Sequence, residues 1–200
     1  MNYQINLDDV CEYNTHPSPL NLKKSALLII EMQEVFRTDL GLISQKQIKN
    51  INNLINFANL HGIKIIYVRH NDSSEDSNHM IKWWRGDKID IGSEGWQIIK
   101  EFDTEGYIII DKSQYSAFFG TNLDEILKSH NITDLIISGV MTNCCCETAA
   151  RDAFMRGYNV FFVNDATATI NAELHLAAIK NLAFGFANVV NTNTLVELKT

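Results

Sequence analysis

The sequence predicts a three-layer α/β/α domain: a doubly wound, six-stranded parallel sheet with helices on both faces. Two observations carry this. Short runs of branched apolar residues recur along the chain, too short for buried helices and without the polar alternation of a half-exposed strand. Segments with apolar residues at helical spacing separate them, so strand and helix alternate, and right-handed crossovers then lay the strands parallel. Two hundred residues are enough to bury one such core.

The elements follow in order. Pro17 and Pro19 mark an extended lead-in, so 1–20 reads as an N-terminal extension of a single domain spanning 1–200. Residues 26–30 form the first strand, ending at Glu31. Ile48, Ile51, Ile55 and Ala58 share one face of a helix stopped by His61-Gly62. Residues 63–68 are the second strand. Residues 71–77 are polar and loop-like, His79 reads as loop, and Trp83, Trp84 and Gly86 follow in irregular sequence. Residues 107–110 are the third strand, ending at Asp111-Lys112, and Leu123, Ile126 and Leu127 lie on a helix face. Residues 135–137 are the fourth strand, ending at Ser138-Gly139. A helix should then run over 142–156, closed by Gly157. Residues 160–163, 173–183 and 187–190 supply the fifth strand, the last helix and the sixth strand. The pattern is Rossmann-like.

Bulk properties narrow the function. A formal charge of −7 and no run of Lys or Arg argue against nucleic acid or an anionic membrane as partner. No apolar stretch approaches the ~20 residues of a membrane-spanning helix. The polar, acidic start from Met1 to Glu12 is no signal peptide. Three of the four cysteines are consecutive, Cys144, Cys145 and Cys146. That pattern suits neither a disulfide framework nor a zinc site; it reads as reduced thiols in a cytoplasmic protein.

Ligands of an open parallel sheet bind beyond the carboxyl ends of its strands. Glu31 follows the first strand, Lys112 the third, and Cys145 lies just past the fourth, so an acid, an amine and a thiol can converge. Cysteine attacks as thiolate. With Thr142 as N-cap, Cys145 would lie in the first helical turn, where free N–H groups and the helix dipole favour negative charge. A nearby Lys112 would lower the thiol pKa further, and Glu31 could take the thiol proton and return it to a leaving amine. N–H groups of the same turn could hold an oxyanion. Taken singly, Cys145 reads better as a small buried core residue, and Glu31 could be a surface acid and Lys112 a solvated amine.

At these residues the chain resembles the isochorismatase-like superfamily. Ala26-Leu-Leu-Ile-Ile-Glu-Met-Gln-Glu-Val-Phe36 is similar to its opening motif. Lys112-Ser-Gln-Tyr-Ser-Ala-Phe-Phe-Gly-Thr121 is similar to its lysine motif, and Gly139-Val-Met-Thr-Asn-Cys-Cys-Cys-Glu-Thr-Ala-Ala-Arg-Asp-Ala153 to its nucleophile motif. Asn164-Asp-Ala-Thr167 and 173–186 resemble its closing segment. The resemblance implies Cys145 as nucleophile, Lys112 and Glu31 as its partners, and Cys144 and Cys146 as packing residues. It further implies a cis peptide between Val140 and Met141, with an oxyanion hole at Val140, Met141 and Cys145, and a homodimer or homotetramer. One residue departs: Glu31 stands where the family has Asp. An adjusted active site, a lost activity or an introduced substitution each account for that.

The resemblance implies a hydrolase cleaving a C–N bond of a small amide or ureide through a Cys145 thioester, with no cofactor and no metal. Nicotinamidases of the family carry a metal-binding Asp-x-His after strand two; here Val68-Arg-His-Asn-Asp72 lacks it, which argues against that branch and gives His70 and Asp72 a pocket-edge or loop role. Isochorismatase-type cleavage of a vinyl ether and a catalytically impaired ligand-binding protein are the alternatives. Phe36, Trp83, Trp84, Tyr115 and Phe119 are candidate pocket walls, and Arg69 and Arg85 candidate carboxylate ligands, each with core packing, a dimer contact or solvation as its competing fate.

Overall fold

The computed structural model describes residues 6–198, so 1–5 of the N-terminal extension and the last two residues of the chain lie outside it. Six strands form one sheet: β1 Ser25–Ile30, β2 Lys64–His70, β3 Ile108–Lys112, β4 Asp134–Val140, β5 Asn159–Ala168 and β6 Asn188–Val190. Their order is β3-β2-β1-β4-β5-β6, with every neighbouring pair parallel. The helices are α1 Glu34–Thr38, α2 Gln45–His61, α3 Asn78–Trp83, α4 Leu123–Ser129, α5 Glu147–Met155, α6 Ala172–Gly185 and α7 Thr192–Val196. Strand order reverses between β1 and β4, and the crevice beyond their carboxyl ends is where such sheets bind ligands.

The central strands β1 and β4 are buried on both faces, which is why the sequence shows runs there and not alternation. All six residues of β1 are buried. On one face Leu28, Ile30, Val68, Ile110 and Ile137 pack against α4, α5 and α6. On the other, Leu27, Ile29, Tyr67, Ile136 and Phe161 pack against α2, through Ile48, Ile51, Leu54 and Ala58, and against Leu195 of α7. Ser44 caps α2 by accepting from the Gln47 N–H, and Gly62 ends it in the left-handed conformation (φ 69°).

Several boundaries differ from the sequence expectation. β2 runs two residues past Val68, to His70, because β3 continues beside it and pairs Arg69 with Asp111 and His70 with Lys112. His79 lies in α3 and not in a loop. The expected helix over 142–156 has two parts. Over Thr142–Cys146 the turn is wide, with the N–H groups of Cys146 and Glu147 reaching back five residues to the oxygens of Met141 and Thr142; α5 follows. Among the described residues no helix is long and apolar enough to cross a membrane.

Candidate active site

Three strand ends deliver the three chemical groups. At the end of β1 the chain turns through Glu31, which has a left-handed backbone (φ 51°). That conformation costs a non-glycine residue on the order of 1 kcal/mol. It is held by the Glu31 N–H donating to Val68 O (2.7 Å) and the Gln33 N–H donating to Glu31 O (2.7 Å). The Glu31 side chain is 2% exposed and that of Lys112 is 0%, and the two form a direct ion pair. Two isolated buried charges would each cost several kcal/mol, so each requires the other. Lys112 Nζ also donates to Gln114 O (2.7 Å) and lies 3.6 Å from Cys145 Sγ. Carboxylate, ammonium and thiol therefore meet in one buried cluster.

Close approach of β1 and β4 makes this geometry possible. Gly139 has φ 117°, and a Cβ there would stand 1.9 Å from Ile30 O. The Val140–Met141 peptide just beyond it is cis. Thr142 is not the N-cap; Met141 precedes the turn. The Thr142 hydroxyl instead donates to Nδ1 of the buried His175 (2.8 Å), whose Nε2–H donates to Asn164 Oδ1 (2.9 Å). This chain ties the nucleophile turn to α6 and β5. Burial lowers the His175 pKa to about 4, so the ring is neutral and suits both bonds.

The electrostatics correct the expectation of an acidic thiol. Burial, then the Glu31 carboxylate, push Cys145 well above its ordinary value, and Lys112 only partly opposes them. Burial works against the Lys112 charge too, but Cys145 and Glu31 hold its pKa above the ordinary lysine value. The resting sulfur is therefore a neutral thiol beside the Glu31–Lys112 ion pair. Burial also raises Cys144, to about 11, and Cys146. Cys146 is fully buried among apolar residues of the same core as Cys145.

The proposed pocket walls divide. Tyr115 is half-buried, packs against the Cys145 side of the core and accepts a hydrogen bond from Trp84 Nε1 (3.1 Å). Burial raises its pKa, with Cys144, Cys145 and Glu31 contributing, which places it beside the cluster. Trp83 (70% exposed) and Phe119 (51%) lie out in solvent, and Phe36 packs against the opposite face of the sheet. Arg69 is no pocket residue. Side chains alternate along β2, so it points away from His70 and Lys112, forks onto Asp111 (2.8 and 3.0 Å) and stacks on Trp96. Arg85 is exposed.

His70, expected at a pocket edge or in a loop, is the last residue of β2 and lies beside the cluster. It pairs in register with Lys112, is buried, and brings Nδ1 to 3.9 Å from Glu31 Oε1. Its Nε2 bonds Asp72 Oδ1 (2.9 Å). The backbone at His70 is clamped by Gln33, which accepts from its N–H (2.7 Å) and donates to its O (3.0 Å). Extending strand two by two residues would have revealed the position. No sequence signal marked His175. Among the described residues no group of three or more His, Cys, Asp or Glu side chains is placed to hold a metal ion.

Residues 25–194 match the isochorismatase domain family. The chain belongs to that family. Over 190 residues it is 38% identical to nicotinamidase 3 of Arabidopsis thaliana, covering 92% of this chain and 93% of that one. It is 26% identical over 208 residues to the ureidoacrylate amidohydrolase RutB of Agrobacterium fabrum, covering 88% and 91%. The crystal structure of a cysteine hydrolase from Pseudomonas syringae pv. phaseolicola superposes with a TM-score of 0.83 at 24% identity, covering 91% of this chain and 96% of that one, a likeness of fold. The chain is thus an isochorismatase-family hydrolase. A relative named nicotinamidase stands at 38% identity.

Proposed function

We propose that this chain is a cysteine amidohydrolase that cleaves a C–N bond of a small amide or ureide through a thioester on Cys145. The observation that carries the reading is the buried cluster of Glu31, Lys112 and Cys145. Substrate entering beside Tyr115 expels water and presents its carbonyl carbon to Sγ. Glu31 accepts the thiol proton as sulfur attacks, and Lys112 shifts its pairing toward the developing thiolate. Backbone N–H groups between Met141 and Cys145 stabilise the tetrahedral oxyanion. Glu31 then returns the proton to the departing nitrogen. Water hydrolyses the thioester and frees the acid.

Glutamate in the place of the family aspartate fits this scheme, because its carboxylate reaches the ammonium directly from a left-handed turn. The similarity to nicotinamidase 3 makes nicotinamide the first amide to test, and RutB makes ureidoacrylate the second. Ammonia release is measured with both, and isochorismate cleavage, which releases none, is followed separately. Turnover of an amide or ureide, an acyl mass on Cys145 and loss of at least ~10³-fold of activity in Cys145→Ala support the proposal. Unchanged turnover in that variant, or cleavage of isochorismate alone, rejects it.

A further inference from the structure

The second half of such a reaction needs a base for water, and beside the cluster lies a buried histidine that the scheme above does not use. His70 is 5% exposed and Asp72 7%. Asp72 is a fixed acceptor: Oδ2 takes the Ile89 N–H (2.9 Å) and Oδ1 faces His70 Nε2 (2.9 Å). Burial works against the Asp72 charge, yet the bonds from His70 and Ile89 keep its pKa below the ordinary value. An ionised carboxylate only accepts, so Nε2 carries a proton, and in the base form of the ring the lone pair lies on Nδ1. Among the described residues that Nδ1 is buried and has no hydrogen-bond partner. It faces Glu31 Oε1 at 3.9 Å, beyond direct hydrogen-bond range, and in that form of the ring both atoms accept. A molecule that donates twice, such as water, satisfies both. Glu31 Oε1 is already engaged by the Lys112 ammonium, whereas the Nδ1 lone pair is not.

We propose that His70 is the general base of thioester hydrolysis and Asp72 its positioning residue, an assignment that rests on the thioester reading. Water bonds to the acyl carbon while one of its protons passes to Nδ1. The C–S bond breaks, and its electron pair returns to Sγ as thiolate beside Lys112. The proton on Nδ1 travels by way of the Glu31 carboxylate to sulfur, which regenerates the neutral thiol and the free ring. Attack by Cys145 on the first carbonyl uses Glu31 and does not involve His70. The two half-reactions therefore have separate bases.

The assignment is tested with p-nitrophenyl acetate, whose nitrophenolate burst reads acylation and whose steady rate reads deacylation. Peptide mapping locates the acetyl group. In His70→Phe the burst should persist while the steady rate falls on the order of 10²-fold or more, the scale of general-base catalysis. Acetyl-Cys145 should accumulate, and hydroxylamine, which attacks a thioester without a base, should restore turnover. Asp72→Asn should show the same pattern more weakly, and it serves as the readout if His70→Phe loses its circular dichroism signature. A burst slowed as much as the steady rate, no acetyl-Cys145 build-up, or no rescue by hydroxylamine overturns the role of His70 alone. No acetyl group on Cys145 in the unmodified protein overturns the thioester reading and this step with it.

Discussion

Replacing Glu31 by Gln should make Cys145 more reactive and the enzyme less active. The carboxylate contacts the Lys112 ammonium, whose nitrogen is 3.6 Å from the sulfur. Carboxylate and sulfur are then separated by at most roughly 6 Å, and at an effective dielectric constant near 20 their repulsion is about 3 kcal/mol. At 1.36 kcal/mol per pKa unit, removing that charge lowers the thiol pKa by about 2. Lys112, left without its carboxylate, is also free to pair with the thiolate. The assay is iodoacetamide alkylation against pH, with peptide mapping to separate Cys145 from the exposed Cys11 and half-buried Cys144. In the unmodified protein the midpoint for Cys145 should lie above that of a free cysteine, and in Glu31→Gln it should fall by about 2 pH units. Amide turnover should drop ~10²-fold or more at the same time, because the proton acceptor is gone. A midpoint that stays or rises in Glu31→Gln refutes the view that the carboxylate holds the thiol neutral.

Other perturbations test other parts of the architecture. Gly139→Ala drives a Cβ to within 1.9 Å of Ile30 O at positive φ, so it should cost about 3 kcal/mol or more in urea unfolding; a loss under ~1 kcal/mol would mean that β1 and β4 separate easily. Burial lowers His175 from 6.5 to about 4 in the folded chain, so its contribution to stability is complete above pH 6.5 and is lost as pH falls toward 4. Across that window the unmodified protein should lose up to about 3 kcal/mol more than His175→Gln; parallel stability profiles would contradict the assignment. Cys144→Ala and Cys146→Ala should retain amide turnover within several-fold, with Cys146→Ala costing ~1 kcal/mol for a buried sulfur. Abolished turnover in Cys146→Ala at intact fold would move the nucleophile.

Parts of the site are legible in the sequence alone. Glu31, Lys112 and Cys145 could be found because a parallel sheet exposes the residue after each strand at one edge, and strand ends can be read from where apolar runs stop. His70 could not be found that way. A strand buried on both faces has no alternation to mark its last residues, so β2 seemed to end at Val68, and Arg69 seemed as free to face the pocket as His70. The short α3 went unread because six residues carry too little periodicity to register. Thr142 looked like a helix cap because Thr is a common one, but its hydroxyl is claimed by a histidine from α6, more than thirty residues away.

The sequence by itself determined the six strands, the long helices between them, the parallel doubly wound class of the sheet and the chemical identity of the three groups at the strand ends, since apolar patterning and residue type act locally. Only the tertiary structure decided the protonation of the cluster, the face on which Arg69 and His70 point, and the support of the nucleophile turn by His175. Those depend on burial and on distances between segments remote in the chain, and charge energies change steeply with both.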